Sequence, residues 1–486
     1  MPYLTLNRSA PSTAFPLCVD LDGTLLKTDM LHETLILLVK RNPLYVFMLP
    51  LWLLRGKAYL KKQIASRVEF DPSCLPYRTD LIAHLREERA AGRRVVLTTA
   101  SDEQIARRIA GYLQLFDEVQ ASDGARNLSG RQKLALLTER YGERCFAYAG
   151  NAPIDLHIWR HAATAIVVGD ADLVRRAGEL TSVQRVFPPE PRSWKTFLKA
   201  MRLHQWLKNL LIFVPLLTAH RLADGGLLAQ AVLAFFSFGL CASSVYLLND
   251  LLDLEADRHH PTKFRRPFAG GALPVWFGAV LIPAFLLAGA AIAWMLPGDF
   301  RLALLVYLLV TAAYSFFLKR FALIDVLALA GLYTLRIIAG GAAVGIAPTQ
   351  WLLAFSMFLF LSLALVKRFS ELYDARESNR ETAHESIRGR GYYASDLEQI
   401  ASLGGASGYM SVLVLALYIN SHDVTALYSQ PNLLWLVCAV LLYWISRVWL
   451  LAHRGEMHED PIVFAIKDRV SYIALALAAA ILILAA

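Results

Sequence analysis

Residues 243–267 read SSVYLLNDLLDLEADRHHPTKFRRP. An apolar run enters this stretch and an ionic one leaves it. Asp250, Asp253 and Asp257 recur three and four residues apart, a spacing that sets all three on one face of a helix. Asn249 stands beside the first. A charged group at the centre of a membrane helix costs roughly 2.5–3.5 kcal/mol, so such a cluster belongs at a membrane edge or in a polar cavity. Neighbouring carboxylates repel unless a cation neutralises them, and oxygen ligands suit a hard ion such as Mg²⁺ shared with substrate phosphates. Arg258, Lys263, Arg265 and Arg266 follow within one loop and suit the outer phosphate oxygens. A solvated, ligand-free loop is the bland alternative; the spacing and the basic and aromatic neighbours count against it.

Outward from this motif the text is mostly membrane. The chain has 486 residues, 56% of them apolar, and the apolar residues crowd after about residue 205. Nine segments match the length of a membrane helix: 203–220, 228–249, 273–296, 301–318, 322–345, 350–370, 402–420, 431–452 and 467–486. Numbered from an inner N-terminus, the loops rich in Lys and Arg fall on one side. That bias predicts an integral protein of the cytoplasmic membrane with its front domain in the cytoplasm. The opening MPYLTLNRSAPSTAF lacks a basic-then-apolar signal pattern, which agrees with that placement. The net charge of +9 is what such inner loops produce, so no nucleic-acid partner is expected. Cys18, Cys74, Cys145, Cys241 and Cys438 form no CxxC pair, against both a disulfide framework and a zinc site.

Residues 1–185 read differently. PLCVDLDG, RRVVLTTAS, CFAYAGN and ATAIVVGD are four predicted strands with helical stretches between them. That order predicts an α/β domain with a parallel sheet. Residues 186–200 form a Pro-rich linker, and 201–486 an all-α membrane domain. An insertion runs from Lys27 to Pro76 and holds LYVFMLPLWLL, Leu44 to Leu54, flanked by Lys40, Arg41, Arg55 and Lys57. It is too short to span a bilayer. Two readings stand: a buried cap helix, or an interfacial patch with a basic collar.

The pattern NDxxDxxxDRxHPxKxxRP resembles the first motif of the UbiA superfamily of membrane prenyltransferases, whose architecture is nine transmembrane helices. The resemblance covers about residues 196–486. More narrowly, RLHQWLKNLLIFVPL, YSFFLKR, DVLALAGLYTLRIIAGG, ALVKRFSEL and HEDPIVFAIKDR are similar to the branch that moves 5-phosphoribose from phosphoribosyl diphosphate to polyprenyl phosphate. The resemblance implies Mg²⁺ on Asp250, Asp253 and Asp257. It implies substrate contacts from Asn249, Lys208, Arg258, Lys263, Arg265, Arg266, Tyr314, Lys319, Arg336, Lys367, Arg368, Glu371, Asp460 and Arg469. Aromatic prenyltransferases of the superfamily carry a second aspartate-rich motif, where this chain reads KRFSELYDARESNR. The cations there suit two phosphorylated substrates.

PLCVDLDGTLL, with Asp20 and Asp22 after a predicted strand, resembles the first motif of the haloacid dehalogenase superfamily of phosphatases. Thr99, Lys133, Gly150–Asn151 and Asp155 follow in that family's order. The resemblance implies a Rossmann-type parallel sheet with a small cap. It makes Asp20 the covalent nucleophile and Asp22 the acid and base. Thr99 and Lys133 would hold phosphoryl oxygens, and Asp20, Asp22, Asn151 and Asp155 would hold Mg²⁺. Asn151 departs from the usual aspartate and brings no charge.

Together these resemblances imply a phosphoribosyltransferase acting on a polyprenyl phosphate, with a fused phosphatase to clear the 5-phosphate. The competing readings are a transferase moving a prenyl group from a polyprenyl diphosphate to an aromatic acceptor, and a lipid-phosphate transporter or scaffold. The pattern leaves a homo-oligomer open.

Overall fold

The computed structural model describes residues 15–189, 193–260, 262–378, 391–421, 424, 428–457 and 461–485. Short apolar runs form six parallel strands: β1 (Leu17–Val19), β2 (Val95–Asp102), β3 (Glu118–Ser122), β4 (Ala147–Gly150), β5 (Thr164–Val168) and β6 (Ser182–Phe187). Their order is β3-β2-β1-β4-β5-β6. Leu17 of β1 pairs with Val95 on one side and Ala147 on the other. Alternate side chains feed two cores. Leu17, Val19, Leu97 and Ala149 pack with Leu81, Leu85 and Ile105 on one face. Cys18, Val96, Tyr148 and Val167 pack with Leu137, Ile158 and Trp159 on the other. The four predicted strands are present. β3 and β6 were not read from the sequence, because both are only partly buried and mix polar with apolar residues.

The order reverses at β1. A crevice therefore opens at the C-terminal ends of β1, β2 and β4, where open parallel sheets bind ligands. Asp20, Thr99 and Asn151 stand at those strand ends.

The insertion holds α1 (Met30–Arg41), α2 (Leu49–Leu54) and α3 (Lys57–Ala65). Asp29 caps α1 by accepting the Leu31 N–H at 2.8 Å. Leu38, Trp52, Leu60, Ile64 and Val68 make a small core. The buried-cap reading of Leu44–Leu54 is corrected here: Trp52 is buried, but Phe47 and Leu54 are 75% and 85% exposed.

Seven helices among the described residues are long and apolar enough to cross a membrane. They include α5 (Gly225–Leu252), α7 (Gly298–Phe316), α8 (Ile324–Val344) and the first 25 residues of α9 (Gln350–Ser378). A short α6 (Leu254–His259) follows α5, and Val275–Trp294, Ala394–Ile419 and Pro431–His453 complete the set. Two of the nine expected segments lie outside this set. Residues 203–220 form a 3₁₀ segment, Leu203–Phe213, then a five-residue helix, Val214–Thr218, with Pro215 in its first turn. Pro215 lacks the amide a continuous helix needs there. Arg469–Ala485 is an apolar helix of 17 described residues, at the short end of the lengths that span a bilayer.

By packing, the chain forms two compact units: residues 1–202 with 246–282, and 203–245 with 283–486. The acidic motif therefore belongs structurally with the front domain. In the second unit the 3₁₀ segment lies against α8, and a Cβ on Gly340 would stand 2.1 Å from the Ile212 carbonyl oxygen. Backbone cannot yield as a side chain can. Gly340→Ala is expected to lower the melting temperature of the detergent-solubilised protein, by about 1–3 kcal/mol of stability. An unchanged melt would remove this contact from the fold's requirements.

Candidate functional site

The acidic motif runs through a one-residue irregularity: the Asp253 N–H still bonds the Asn249 carbonyl at 2.9 Å and the Asp257 N–H the Asp253 carbonyl at 2.8 Å. α5 ends at Leu252, Asp253 has φ −102° and ψ 16°, and α6 begins at Leu254. Asp250 and Asp257 are buried and share Arg266, whose Nη1 lies 3.2 Å from Asp250 Oδ1 and 2.6 Å from Asp257 Oδ2. Arg202 also grips Asp250, with its Nε 3.1 Å from Oδ2 and a second bond from Nη2 to Oδ1. Asp253 instead lies 3.9 Å from Lys40 Nζ. Asp250 and Asp257 thus share one cation, while Asp253 lies near another. Both members of the pair offer oxygen, the ligand type a hard dication takes. Burial pushes the Asp257 carboxyl above its ordinary range, with Arg266 opposing the shift.

The basic residues around the motif divide. Arg258 is engaged within the protein: its guanidinium bonds Glu33 at 2.6 and 3.1 Å and the Ala269 carbonyl at 2.9 Å. Both charged side chains are buried, and Thr28 donates a further bond to Glu33 at 2.8 Å. Arg265 is exposed against Phe264. Lys263 and Asn249 are half-buried. Arg202 and Glu33 were missed in the sequence. Arg202 lies 48 positions from its partner and Glu33 225 from its own, beyond any local pattern.

The second unit holds two cationic clusters of its own. Arg336 is buried on α8, with Nε 3.0 Å from Asn209 Oδ1, Nη1 2.6 Å from the Leu332 carbonyl and Nη2 3.3 Å from Tyr307 Oη. Its guanidinium and the Lys208 ammonium lie 5.3 and 5.4 Å from the Tyr333 ring, close enough for cation–π attraction. Arg368 on α9 bonds Asp325, Glu371 and the Tyr314 hydroxyl, the last at 2.9 Å. Asp325 also accepts from Tyr392. The sequence reading assigned Asp325 no role, although a carboxylate opening an apolar run is itself a signal. Lys319 and Lys367 are half-buried, and Arg469 is exposed at a helix start. Asp460 lies outside the described residues.

In the front crevice all six expected residues come together. Lys133, on α4 (Arg131–Tyr141), bonds Asp20 Oδ1 at 2.7 Å and the Tyr148 hydroxyl at 2.9 Å. Asp22 accepts the Met30 N–H at 2.8 Å and the Ser101 hydroxyl at 2.7 Å. Thr99 is buried within 3.5 Å of it. Asp155 accepts the Asn151 and Ala152 amides, both at 3.0 Å. Asn151 Oδ1 takes the Thr24 hydroxyl at 3.1 Å. The turn between Asp20 and Thr24 needs glycine: Gly23 has φ +74°, and a Cβ there would lie 2.1 Å from Asn151 Nδ2. Burial, then Asp29 and Asp20, push Asp22 up to about 7. Burial and Asp20 push Asp155 up to about 6. A nearby cation would relieve this crowding. Ser101, Tyr148 and Lys61 were not foreseen. Lys61 donates to the Ala100 carbonyl at 2.6 Å and to Asn127 at 3.1 Å.

All five cysteines are free. Cys74 does approach Glu255 and His259, with one ligand atom of each within 4.8 Å. Burial pushes its thiol up to about 11, which disfavours the thiolate a metal needs.

Comparison with known proteins settles the family. Residues 211–467 match the UbiA prenyltransferase family. The chain belongs to that family. An uncharacterized protein of Sinorhizobium fredii, y4nM, is 40% identical over 97% of this chain and 91% of its own length. The decaprenyl-phosphate phosphoribosyltransferase of Mycolicibacterium smegmatis is 33% identical over 56% of this chain and 86% of its own. Among solved structures, a UbiA homolog from Archaeoglobus fulgidus bound to GPP and Mg²⁺ is 18% identical. That match covers 59% of this chain and 99% of the homolog, at a TM-score of 0.45. The protein is an integral membrane protein of the UbiA family with a six-stranded parallel α/β domain in front.

Two measurements test this geometry. Arg258→Met leaves Glu33 buried without its partner and is expected to cost roughly 3–5 kcal/mol. Glu33→Met added to it should recover much of that loss in chemical unfolding; strict additivity would mean the pair is not coupled. The raised Asp22 makes the folded protein keep, between pH 3.8 and about 7, a proton the unfolded chain releases. Its contribution therefore favours folding at low pH and declines as pH rises through that window. In magnesium-free buffer, Asp22→Asn is expected to flatten the fall in melting temperature between pH 5 and 8. An unaltered slope would mean Asp22 ionises as an ordinary carboxyl.

Proposed function

We propose that the membrane part transfers 5-phosphoribose from phosphoribosyl diphosphate to a polyprenyl phosphate, and that the front domain then removes the 5-phosphate. The observation that carries the first half is the buried pair Asp250 and Asp257, clamped by Arg266 and Arg202. Such a pocket suits a diphosphate entering with its counter-ion. The likeness to the mycobacterial phosphoribosyltransferase supports this donor and acceptor.

Asp250 and Asp257 are the residues to hold Mg²⁺, with Asn249 beside them. When bound, the ion would offset charge on the departing diphosphate. The rest falls to the chain. Arg266 and Arg202 already lie on the carboxylates and can take phosphate oxygens as charge accumulates there. The bond between C1 of the ribose and the diphosphate oxygen breaks, and one forms from C1 to the lipid phosphate oxygen. That phosphate is ionised at neutral pH and needs no base. Lys208, Arg336, Lys319 and Lys367 are the cations we assign to the lipid phosphate. Arg368 serves instead to hold α7, α8 and α9 together through Tyr314 and Asp325.

The front domain is proposed to work as the haloacid dehalogenase resemblance implies. Asp20 attacks phosphorus. Lys133, 2.7 Å from it, neutralises the incoming phosphoryl oxygens. Asp22, pushed up to about 7, carries the proton for the leaving hydroxyl and later draws one from water. Asp155 completes the acidic set.

Purified full chain in lipid nanodiscs, given phosphoribosyl diphosphate, polyprenyl phosphate and magnesium, should release diphosphate. Asp250→Asn and Asp257→Asn are expected to lower that rate by ~10²-fold or more, and Asp253→Asn by less. Release from a prenyl diphosphate with an aromatic acceptor, and none from the ribosyl donor, would replace this reading. Asp20→Asn should leave diphosphate release intact and stop inorganic phosphate release from lipid-linked phosphoribose. Phosphate release that survives Asp20→Asn would end the phosphatase assignment.

A further inference from the structure

We propose that residues 43–54 form a membrane-contact surface, resting the front domain on the leaflet nearest it in the bilayer that the chain itself spans. This goes beyond the transfer chemistry and does not depend on it.

The first observation is exposed apolar area. Leu44, Val46, Phe47, Leu51, Leu53 and Leu54 all stand in solvent, side by side in a stretch of twelve residues. A contiguous patch of this kind marks an interaction surface rather than scattered tolerance. The hairpin that presents it is stiff. Asn42 caps it by accepting the Leu44 amide at 3.0 Å. Trp52 is buried beside Tyr45, their rings 5.9 Å apart, with the Arg67 guanidinium 5.0 Å from the indole. The anchored Trp52 leaves the leucines and Phe47 facing outward.

The second is charge. Between Glu33 and Glu69 there is no acidic residue, while Lys40, Arg41, Arg55, Lys57, Lys61, Lys62 and Arg67 all occur. Lys61 turns into the crevice; the others surround the apolar patch in sequence. Anionic lipid attracts such a collar at about 1 kcal/mol per cation near the surface, and a water-facing protein surface would mix both signs.

The third is position. Lys40 Nζ lies 3.9 Å from Asp253 Oδ1. Asp253 is the residue directly after the membrane-crossing α5, which ends at Leu252. The apolar stretch starts at Pro43, three residues beyond Lys40. It therefore begins close in sequence to a contact with the end of a membrane-crossing helix. A short apolar helix with a basic rim that lies on a bilayer buries its apolar side about 5–10 Å into the headgroup and acyl boundary. The basic collar and the absence of acidic residues favour anionic lipid as the occupant.

The test is depth. In a full chain carrying Cys74→Ser and Cys145→Ser, Phe47→Cys, Leu54→Cys and, as control, the exposed Glu179→Cys are labelled with a fluorophore. Each is reconstituted in nanodiscs of phosphatidylcholine and phosphatidylglycerol that contain nitroxide-labelled acyl chains. Quenching by lipid is expected to be severalfold greater at 47 and 54 than at 179, with the reverse order for aqueous iodide. Equal, iodide-accessible probes at all three sites would overturn the proposal. So would shielding from both lipid and iodide that grows with protein concentration, which would mean a second copy covers the patch. Should Phe47→Cys fail to fold, the largely exposed position 54 decides alone. Diphosphate release measured on the same samples separates failure of this surface from failure of the assigned chemistry.

Discussion

Buried carboxylates that must not be left alone organise this protein. Asp20 has Lys133, Glu33 has Arg258, Asp250 has Arg202 and Arg266, and Asp325 has Arg368. Each pair costs more in lost hydration than it returns unless the remaining oxygens are also bonded. Such additional partners are present on Glu33, from Thr28, and on Asp325, from Tyr392; the unpaired Asp155 accepts the Asn151 and Ala152 amides. The geometry of the candidate sites follows from this requirement, since every cation that satisfies a carboxylate also fixes an element. Lys133 pins α4 across the mouth of the sheet. Arg368 ties three membrane helices at one point.

The sequence was legible where chemistry is local. Four strands, the turn carrying Asp20 and Asp22, and the order of Thr99, Lys133 and Asp155 were all readable, because most of these residues lie in or beside a strand and Lys133 opens a helix between two of them. The membrane character of the second half was equally plain, since runs of apolar residues have few other homes. Local irregularity was less legible. Asp253 leaves helical backbone angles within a run of hydrogen bonds that continues on both sides of it. Likewise 203–220 has the hydropathy of a span, yet opens as a 3₁₀ segment with Pro215 just after it.

Partners distant in sequence were beyond reach. Arg258 read as a phosphate contact because its neighbours are basic. In the fold it bonds Glu33, in the front insertion. Nothing in either segment announces the other, and only the folded chain brings them together. The same holds for Arg202, whose left-handed backbone at φ +52° turns it back toward Asp250.

Helix α1 touches both acidic sets. Its first amide, on Met30, holds Asp22; Glu33 holds Arg258, next in sequence to Asp257; Lys40 near its end approaches Asp253. Its twelve residues rise about 18 Å. One short rod, supplied by the insertion, is thus shared by the carboxylates of the sheet and those of the motif.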